Sequence, residues 1–126
     1  MKHSFKQRII YADTDAEGVV YYANYLKFFE RGRMEFLREL GILLKDLKEK
    51  KSMGFTVTRV ECDYMAPASL DEEITINTEV VEKTGATVAF YQQALRGERV
   101  LVSAKITVCA ISLKSFRPMR IPEGLF

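Results

Sequence analysis

The sequence predicts an α+β protein in which one long helix packs against a mostly antiparallel sheet of four or five strands. Two patterns carry this prediction: helical spacing of apolar residues between positions 22 and 40, and period-two alternation after Gly54. The predicted strands follow one another through short turns, which favours antiparallel pairing. A chain of 126 residues suits one core, so residues 1–126 are treated as a single domain.

The helix is predicted from the face on which its apolar side chains fall. That face holds Tyr22, Tyr25, Leu26, Phe29, Phe36, Leu37 and Leu40. The opposite face is charged and holds Lys27, Arg31, Glu35 and Arg38. Gly41 is well placed to end the helix. The apolar face also carries Arg33, which must extend to solvent or pair with a carboxylate such as Glu30. A structural ion pair is favoured over a catalytic role for this arginine.

The strands are predicted from alternation and from the turn residues between them. They cover residues 4–11, 55–66, 74–80, 88–94 and 99–111. The last strand is apolar on both sides. One side holds Val100, Val102, Ala104, Ile106 and Val108, and the other holds Leu101, Cys109 and Ile111. Because such a strand is usually covered on both faces, we expect a homo-oligomer of at least two chains, with a tetramer favoured.

The composition narrows the partners and the compartment. The net charge of +2 is too small to indicate nucleic acid binding. No apolar run reaches the roughly 18 residues of a membrane span, and the N-terminal segment lacks the apolar core of a signal peptide. We therefore expect a cytoplasmic protein. Cys62 and Cys109 lie in apolar strand-like runs, so reduced, buried thiols are favoured over a disulfide.

The single histidine, His3, limits the available chemistry. It stands near a terminus that we expect to be mobile, which makes it a poor catalytic base. Histidine-rich metal sites and Ser–His or Cys–His nucleophile pairs are therefore not expected. Acid–base chemistry falls to carboxylates, tyrosines or lysines.

The most informative segment reads Y-A-D-T-D-A-E-G-V-V-Y-Y-A-N-Y, from Tyr11 to Tyr25. It places Asp13 and Asp15 just ahead of the predicted helix. Taken alone, the pair favours turn or cap residues, because aspartate accepts hydrogen bonds from nearby backbone N–H groups. A divalent metal site is the weaker alternative, since no further ligand cluster is evident nearby. We expect no metal and no cofactor.

This segment, continued by F-x-E-R-x-R, resembles the signature of hotdog-fold acyl-CoA thioesterases. The closer resemblance is to the 4-hydroxybenzoyl-CoA thioesterase family and its YbgC-type members, which are associated with the Tol–Pal system. The later segments V-E-C-D-Y-M-A-P-A-S-L-D-E-E-I-T-I and F-R-P-M-R-I-P extend the resemblance over nearly the whole chain. It implies a hotdog fold, with a long central helix wrapped by a curved sheet of five or six strands. It also implies dimers, or dimers of dimers, with active sites between subunits.

The resemblance implies hydrolysis of an acyl-CoA thioester to free acid and coenzyme A. It assigns the chemistry to Asp15 and polarisation of the carbonyl to the backbone N–H of Tyr22. A helix start suits that task, because its N–H groups are unpaired and carry the positive end of the dipole. Gly18 is expected to let a ligand approach the backbone. Asp13 keeps its turn or cap role, and the rings of Tyr22 and Tyr25 either pack in the core or line an acyl pocket.

Two features leave the substrate open. Coenzyme A phosphates need cations, and the basic cluster of the 4-hydroxybenzoyl-CoA enzyme is reduced here to Lys83, with Arg117 as a further candidate. Solvated surface cations are the favoured alternative for both. Many YbgC-type members have histidine where this chain has Tyr22, so the acyl preference stays open. The alternative function is a non-catalytic acyl-thioester-binding or interaction protein on the same fold.

Overall fold

The structure, a computed structural model, describes residues 2–126 and confirms the α+β prediction. A short 3₁₀ helix at Tyr11–Asp13 follows the first strand. The strands and α-helices, in chain order, are β1 (Lys2–Arg8), α1 (Asn24–Glu39), α2 (Leu44–Lys51), β2 (Met53–Tyr64), β3 (Glu73–Lys83), β4 (Thr87–Arg96) and β5 (Arg99–Ser112). Neither α-helix of the described chain has the length and apolar composition needed to cross a membrane.

The five strands form one sheet in the order β1-β3-β4-β5-β2, and every pair is antiparallel. The strand β2 therefore forms one edge and β1 the other. The helix α1 lies across one face of this sheet and contacts β1, β3 and β4. The second helix, α2, packs against β2 and was not predicted.

The helix α1 ends as predicted but begins later. Tyr22 and Ala23 form a turn, and regular helix starts at Asn24. At the other end the Gly41 N–H donates to Arg38 O at 2.9 Å and the Ile42 N–H to Leu37 O at 2.8 Å. This Schellman pattern needs the positive φ of 82° that Gly41 adopts.

The buried face of α1 differs from the predicted one at its first turn. It holds Tyr25, Phe28, Phe29, Gly32, Phe36 and Leu37. Leu26, predicted in the core, is 38% exposed, and Tyr22 is 61% exposed. Gly32 marks the closest approach of helix and sheet, because a Cβ there would lie 2.8 Å from Thr78 Oγ1 and 2.9 Å from Ile76 Cγ2.

The two-sided apolar pattern of β5 is partly explained within one chain, and the expected homo-oligomer stays a prediction. A register shift between Ala94 and Leu95 changes the alternation near the start of β5, and Leu101 is fully buried within its own chain. The N–H groups of Met65 and Ala66 both donate to the Leu101 carbonyl, which places residues 65–66 beside this part of β5. Leu101 is therefore buried without a second chain.

The N-terminal strand also differs from prediction. Tyr11 lies outside β1, in the 3₁₀ helix, and is 82% exposed. His3 is not in a loose segment: it lies in β1 opposite Thr78, with its ring edge-on to Phe36. Its Nε2 lies 3.0 Å from a Glu39 carboxylate oxygen. His3 thus has a packing role, at the end of β1 away from the Asp15 loop.

Candidate active site

The segment before α1 folds back on itself as a tight hairpin. The Asp15 N–H donates to Val19 O at 2.9 Å, and the Gly18 N–H donates to Asp15 O at 3.1 Å. Thr14 and Val20 then pair across the hairpin. The turn requires a positive φ of 81° at Gly18, where a Cβ would meet no atom within 4 Å. Glycine is therefore needed here for its backbone conformation, and its predicted close approach to a ligand stays a prediction.

Asp13 anchors this hairpin, as its predicted cap role requires. Its side chain is buried, and Oδ2 accepts a hydrogen bond from the Ile10 N–H at 2.9 Å. Its carbonyl accepts from the Tyr21 N–H at 3.0 Å and from Asn24 Nδ2 at 2.8 Å. Asp13 thus ties the hairpin to the first residue of α1, and one oxygen of its carboxylate is engaged by the Ile10 N–H.

Asp15 is placed differently, although it is only two residues away. It is half-buried, and Oδ1 accepts a hydrogen bond from the Glu17 N–H at 2.9 Å. Its second oxygen, Oδ2, accepts no hydrogen bond from residues 2–126. The first contact fixes the side chain in an Asx turn, and the second oxygen remains available for a ligand or a water molecule.

The start of α1 supplies free donors beside this loop. The N–H groups of Tyr22 and Ala23 donate to no backbone oxygen in the described chain, whereas the next residue, Asn24, donates to Tyr21 O at 2.8 Å. Unpaired N–H groups at a helix start attract negative charge. The hydrogen bond from Tyr21 to Asp13 holds these donors and Asp15 in one local unit.

The two tyrosines predicted as pocket residues have different positions. Tyr25 is a core residue, 3% exposed, and its hydroxyl accepts a hydrogen bond from the Ala68 N–H at 3.1 Å. Burial raises the pKa of the Tyr25 phenol. Tyr22 is exposed, and its ring lies tilted against Tyr21 and edge-on to Tyr64, with centroid distances of 4.9 and 6.0 Å. Of the pair, Tyr22 alone presents its ring to solvent.

The predicted phosphate contacts do not reach this loop within one chain. Lys83 ends β3, whose first residue lies next to the hairpin, so the two are about 33 Å apart along the strand. Arg117 lies beside Ser112 at the end of β5, again at the far end of the sheet. Both side chains are exposed, and their contact with coenzyme A phosphates stays a prediction. They can approach Asp15 only if a second chain brings the two ends of the sheet together.

A cavity of about 260 Å³, which the sequence did not reveal, lies near the end of α1. Apolar side chains from α1, α2, β2, β4 and β5 form most of its wall, and Arg33 and Glu30 add charge. Arg33 does not form the predicted ion pair with Glu30. Its Nη1 donates instead to Gln92 Oε1 at 3.0 Å, and Gln92 Nε2 donates to Thr78 Oγ1 at 2.8 Å. Burial lowers the pKa of Arg33, and the charge of Glu30 opposes this.

The described residues contain no cluster of three or more histidine, cysteine, aspartate or glutamate side chains able to hold a metal ion. Cys62 and Cys109 are both free, with Cys109 buried and Cys62 half-buried. Burial raises the pKa of the Cys62 thiol. The polar chemistry near the hairpin therefore rests on Asp15, the tyrosines and backbone N–H groups.

Comparison with known proteins gives consistent matches. Residues 11–125 match the model of the thioesterase-like superfamily. Acyl-CoA thioesterase YbgC of Haemophilus influenzae is 41% identical over 120 residues, covering 95% of this chain and 88% of the relative. Acyl-CoA thioester hydrolase YbgC of Escherichia coli is 34% identical over 119 residues, covering 94% and 88%. The crystal structure of a probable thioesterase from Bartonella henselae is 40% identical, with a TM-score of 0.92 over 97% of this chain and 100% of that one.

Proposed function

Because this chain belongs to the thioesterase-like superfamily and is an acyl-CoA thioester hydrolase with the hotdog fold, we propose that Asp15 carries its chemistry. The observation that carries the proposal is the contrast between two neighbouring carboxylates. Asp13 is buried and engaged by Ile10, whereas Asp15 keeps one oxygen without a partner beside the free donors of α1. Asp15 acts as a general base on water, or attacks the thioester carbon directly.

The start of α1 stabilises the charge that develops during hydrolysis. Attack on a thioester carbonyl places negative charge on its oxygen, and the Tyr22 N–H is available to donate to it. Removing one such donor typically costs about 10²–10³ in rate, because the donor is already oriented when the charge forms. The positive end of the α1 dipole adds to the same effect. The products are a free acid and coenzyme A.

The active site is completed between two chains that pair through β2. This edge strand is 12 residues long and has no neighbour on its outer side within the described chain. Val57, Val60 and Tyr64 on it are 47%, 41% and 46% exposed. An edge of this length is rarely left open. Two-fold antiparallel pairing of β2 with a second copy covers it and forms the dimer, or the dimer within a tetramer.

Such pairing joins the two ends of the molecule. Tyr25 at the start of α1 lies against Tyr64 at the end of β2, with ring centroids 5.9 Å apart, while Leu37 and Phe55 share the cavity at the other end. The helix α1 therefore runs opposite to β2. A two-fold axis through the middle of β2 places the start of one strand beside the end of its copy. Lys83 and Arg117 then approach Asp15 of the partner subunit and become available to coenzyme A phosphates.

Two matched substitutions test the role of Asp15. Asparagine keeps an oxygen for the Glu17 N–H, so Asp15→Asn retains the turn and removes only the basic oxygen. We expect kcat for a panel of acyl-CoA thioesters to fall by about 10²–10⁴-fold with little change in melting temperature, and Asp13→Asn to lose mainly stability. Free-thiol release measures turnover. Wild-type turnover by a folded Asp15→Asn variant contradicts the assignment.

Oxygen labelling separates the two roles open to Asp15. In a single turnover in ¹⁸O-water, a nucleophilic Asp15 forms a mixed anhydride as coenzyme A leaves, and water then cleaves that anhydride. Cleavage at the aspartyl carbon leaves label in the Asp15 carboxylate, which mass spectrometry detects.

Light scattering tests the assembly separately: a monomer at micromolar concentration contradicts the shared site. The free thiols favour a reducing compartment, and we place the enzyme in the cytoplasm, which cell fractionation tests.

A further inference from the structure

Residues 67–72, which we call the clasp segment, lie alongside the tight hairpin before α1. The Val20 N–H donates to Ala68 O at 2.8 Å, and the Leu70 N–H donates to Gly18 O at 3.2 Å. These two hydrogen bonds run in opposite directions between the two backbones, as they do in an antiparallel pair of strands. The clasp segment thus forms a third strand-like layer beside the two arms of the hairpin.

Asp15 is separated from the clasp segment by a single backbone layer. The Asp15 N–H donates to Val19 O at 2.9 Å, and Val19 pairs in turn with Ser69 of the clasp segment. Backbones paired in this way are held about 4.7–4.9 Å apart. A shift of the clasp segment therefore moves Val19, and with it the backbone from which the Asp15 carboxylate projects.

A charged pair fixes the shape of the clasp segment. Oε1 of Glu72 accepts hydrogen bonds from the Ser69 N–H at 2.6 Å and from Arg96 Nη1 at 3.0 Å. The same Nη1 also donates to Pro67 O at 3.1 Å. One oxygen and one nitrogen thus join both ends of the segment to the end of β4. The side chains of Glu72 and Arg96 are 29% and 35% exposed, so they are partly shielded from water.

Other contacts attach the clasp segment to the fold without this pair. The Ala68 N–H donates to the buried Tyr25 hydroxyl at 3.1 Å. The Asp71 N–H donates to Ile9 O at 2.9 Å, and the Ile9 N–H donates to Glu72 O at 2.9 Å. Ion pairs near the surface usually add little to stability. Loss of the charged pair should therefore leave the protein folded and free only the position of the segment.

We infer that Arg96 and Glu72 are positioning residues for thioester hydrolysis, which fix the clasp segment and through it the orientation of Asp15. The inference rests on the proposed function, because Asp15 is the group that they position. In this role neither side chain contacts the substrate. Their effect is on rate because catalysis depends on distance: a misplacement of about 1 Å, caused by a change remote from the chemistry, can cost about 10²-fold.

Arg96→Met tests this role, because methionine keeps much of the apolar stem and removes both hydrogen bonds. We expect kcat for an acyl-CoA thioester to fall by about 10–100-fold while KM changes by about threefold or less, since the bound substrate keeps its contacts. Wild-type kcat in the folded variant overturns the inference. A higher KM with unchanged kcat overturns it as well, because that pattern indicates lost substrate binding.

Lys105→Met is the matched control, since it breaks a charged pair of nearly the same length. Lys105 Nζ lies 2.9 Å from Glu82 Oε1. Lys105 is about 20 Å along β5 from Arg99, which lies opposite Arg96 across the β4–β5 turn. We expect kcat of the control to stay within about twofold of wild type. An equal fall of kcat in both variants overturns the inference.

Amide hydrogen exchange, followed by mass spectrometry, reports the hairpin directly. The N–H groups of Asp15, Gly18 and Val20 are hydrogen-bonded to other backbone groups, and such groups exchange when the structure opens locally. We expect peptides covering residues 14–25 to exchange about tenfold faster in Arg96→Met, with no change in peptides from β3 and β5. Unchanged exchange in the hairpin overturns the inference, whatever the catalytic rates are.

A double substitution separates the inference from the proposed function. If Arg96 acts through Asp15, Arg96→Met should lower kcat by about twofold or less once Asp15→Asn is present, because the positioned group is already lost. An equal loss in both backgrounds overturns the inference. If Asp15→Asn turns over at the wild-type rate, the proposed function fails, and the exchange result still decides whether Arg96 holds the hairpin. If Asp15→Asn is inactive but Arg96→Met matches wild type in kcat and exchange, the inference fails alone.

Discussion

The two ends of helix α1 are built in different ways. At its start, hydrogen bonds join residues close in sequence, such as Ile10 to Asp13 and Glu17 to Asp15. Near its end, Arg33 bonds to Gln92, 59 residues away. The first arrangement depends on a run of about fifteen residues and can be read as a motif. The second depends on which strands lie under the helix, so it is visible only once the sheet has formed.

The two ends also differ in how polar groups are satisfied. The Asp15 loop is open to water, so a polar group there that loses a partner can still be hydrated. The polar cluster under α1 is not: Gln92 is fully buried and Thr78 is 1% exposed. A buried polar cluster is stable only when its members remain paired. Changes at the second end should therefore cost more than changes at the first.

The largest effect is expected for Gly32→Ala, at the contact between α1 and the sheet. The new Cβ would lie 2.8 Å from Thr78 Oγ1 and 3.0 Å from Gln92 Nε2, and these buried side chains have little room to move. We expect a loss of about 1–3 kcal/mol in unfolding free energy, measured by urea denaturation. Gly85→Ala, with no atom within 4 Å of its Cβ, is the control and should change stability by about 0.5 kcal/mol or less. Equal losses of stability in the two variants would contradict the expected crowding at Gly32.

The next effect is expected for Tyr25→Phe, which belongs to the core although it lies in the motif. The substitution removes the acceptor of the buried Ala68 N–H, and we expect a loss of about 1–2 kcal/mol at neutral pH. Burial raises the pKa of Tyr25, so its contribution is complete below the unfolded pKa and is lost as pH rises through the folded pKa. The difference between wild type and variant should therefore shrink above about pH 10. A difference that grows with pH would contradict this.

The smallest effect is expected for Gly18→Ala in the hairpin. The positive φ costs a residue with a Cβ about 1 kcal/mol, and Gly18→Asn should cost less because asparagine tolerates this conformation. Thermal unfolding of both variants, with kcat/KM for one acyl-CoA, measures the effect. If close approach of the ligand is what requires glycine, both variants will instead lose kcat/KM to a similar extent without a difference in stability.

Much of the fold could be predicted because it depends on short-range patterns. Gly41 ends α1 as expected, and the strands lie within a few residues of their predicted positions. The errors arose where the chain leaves a regular period. Leu26 was placed in the core and Phe28 was not, because the packing of α1, rather than the pattern, decides its rotation. The shift at Leu95 likewise changed the face of Leu101, and no local signal marks that shift.

In the candidate site, too, features set by nearby residues could be predicted, whereas contacts between distant parts of the chain could not. The cap role of Asp13 was predicted and is confirmed by its hydrogen bond with Ile10. The catalytic role of Asp15 was implied by the family resemblance of the longer segment and stays a prediction. The partner of Arg33 was not predicted, because Glu30 is close in sequence whereas Gln92 lies on a distant strand. Tyr25 was left open between core and pocket, and its contact with Ala68, 43 residues away, places it in the core.

The sequence by itself determined the α+β class, the turn or cap role of Asp13 and the end of the helix at Gly41. Caps and turns are formed by residues within about five positions of one another, so they can be predicted from short segments of sequence. Only the tertiary structure decided that Gln92 holds Arg33, that Leu101 is covered by its own chain and that a cavity lies beneath Phe126. These features depend on strand order, on register and on the distance between helix and sheet, which follow from packing of the whole core.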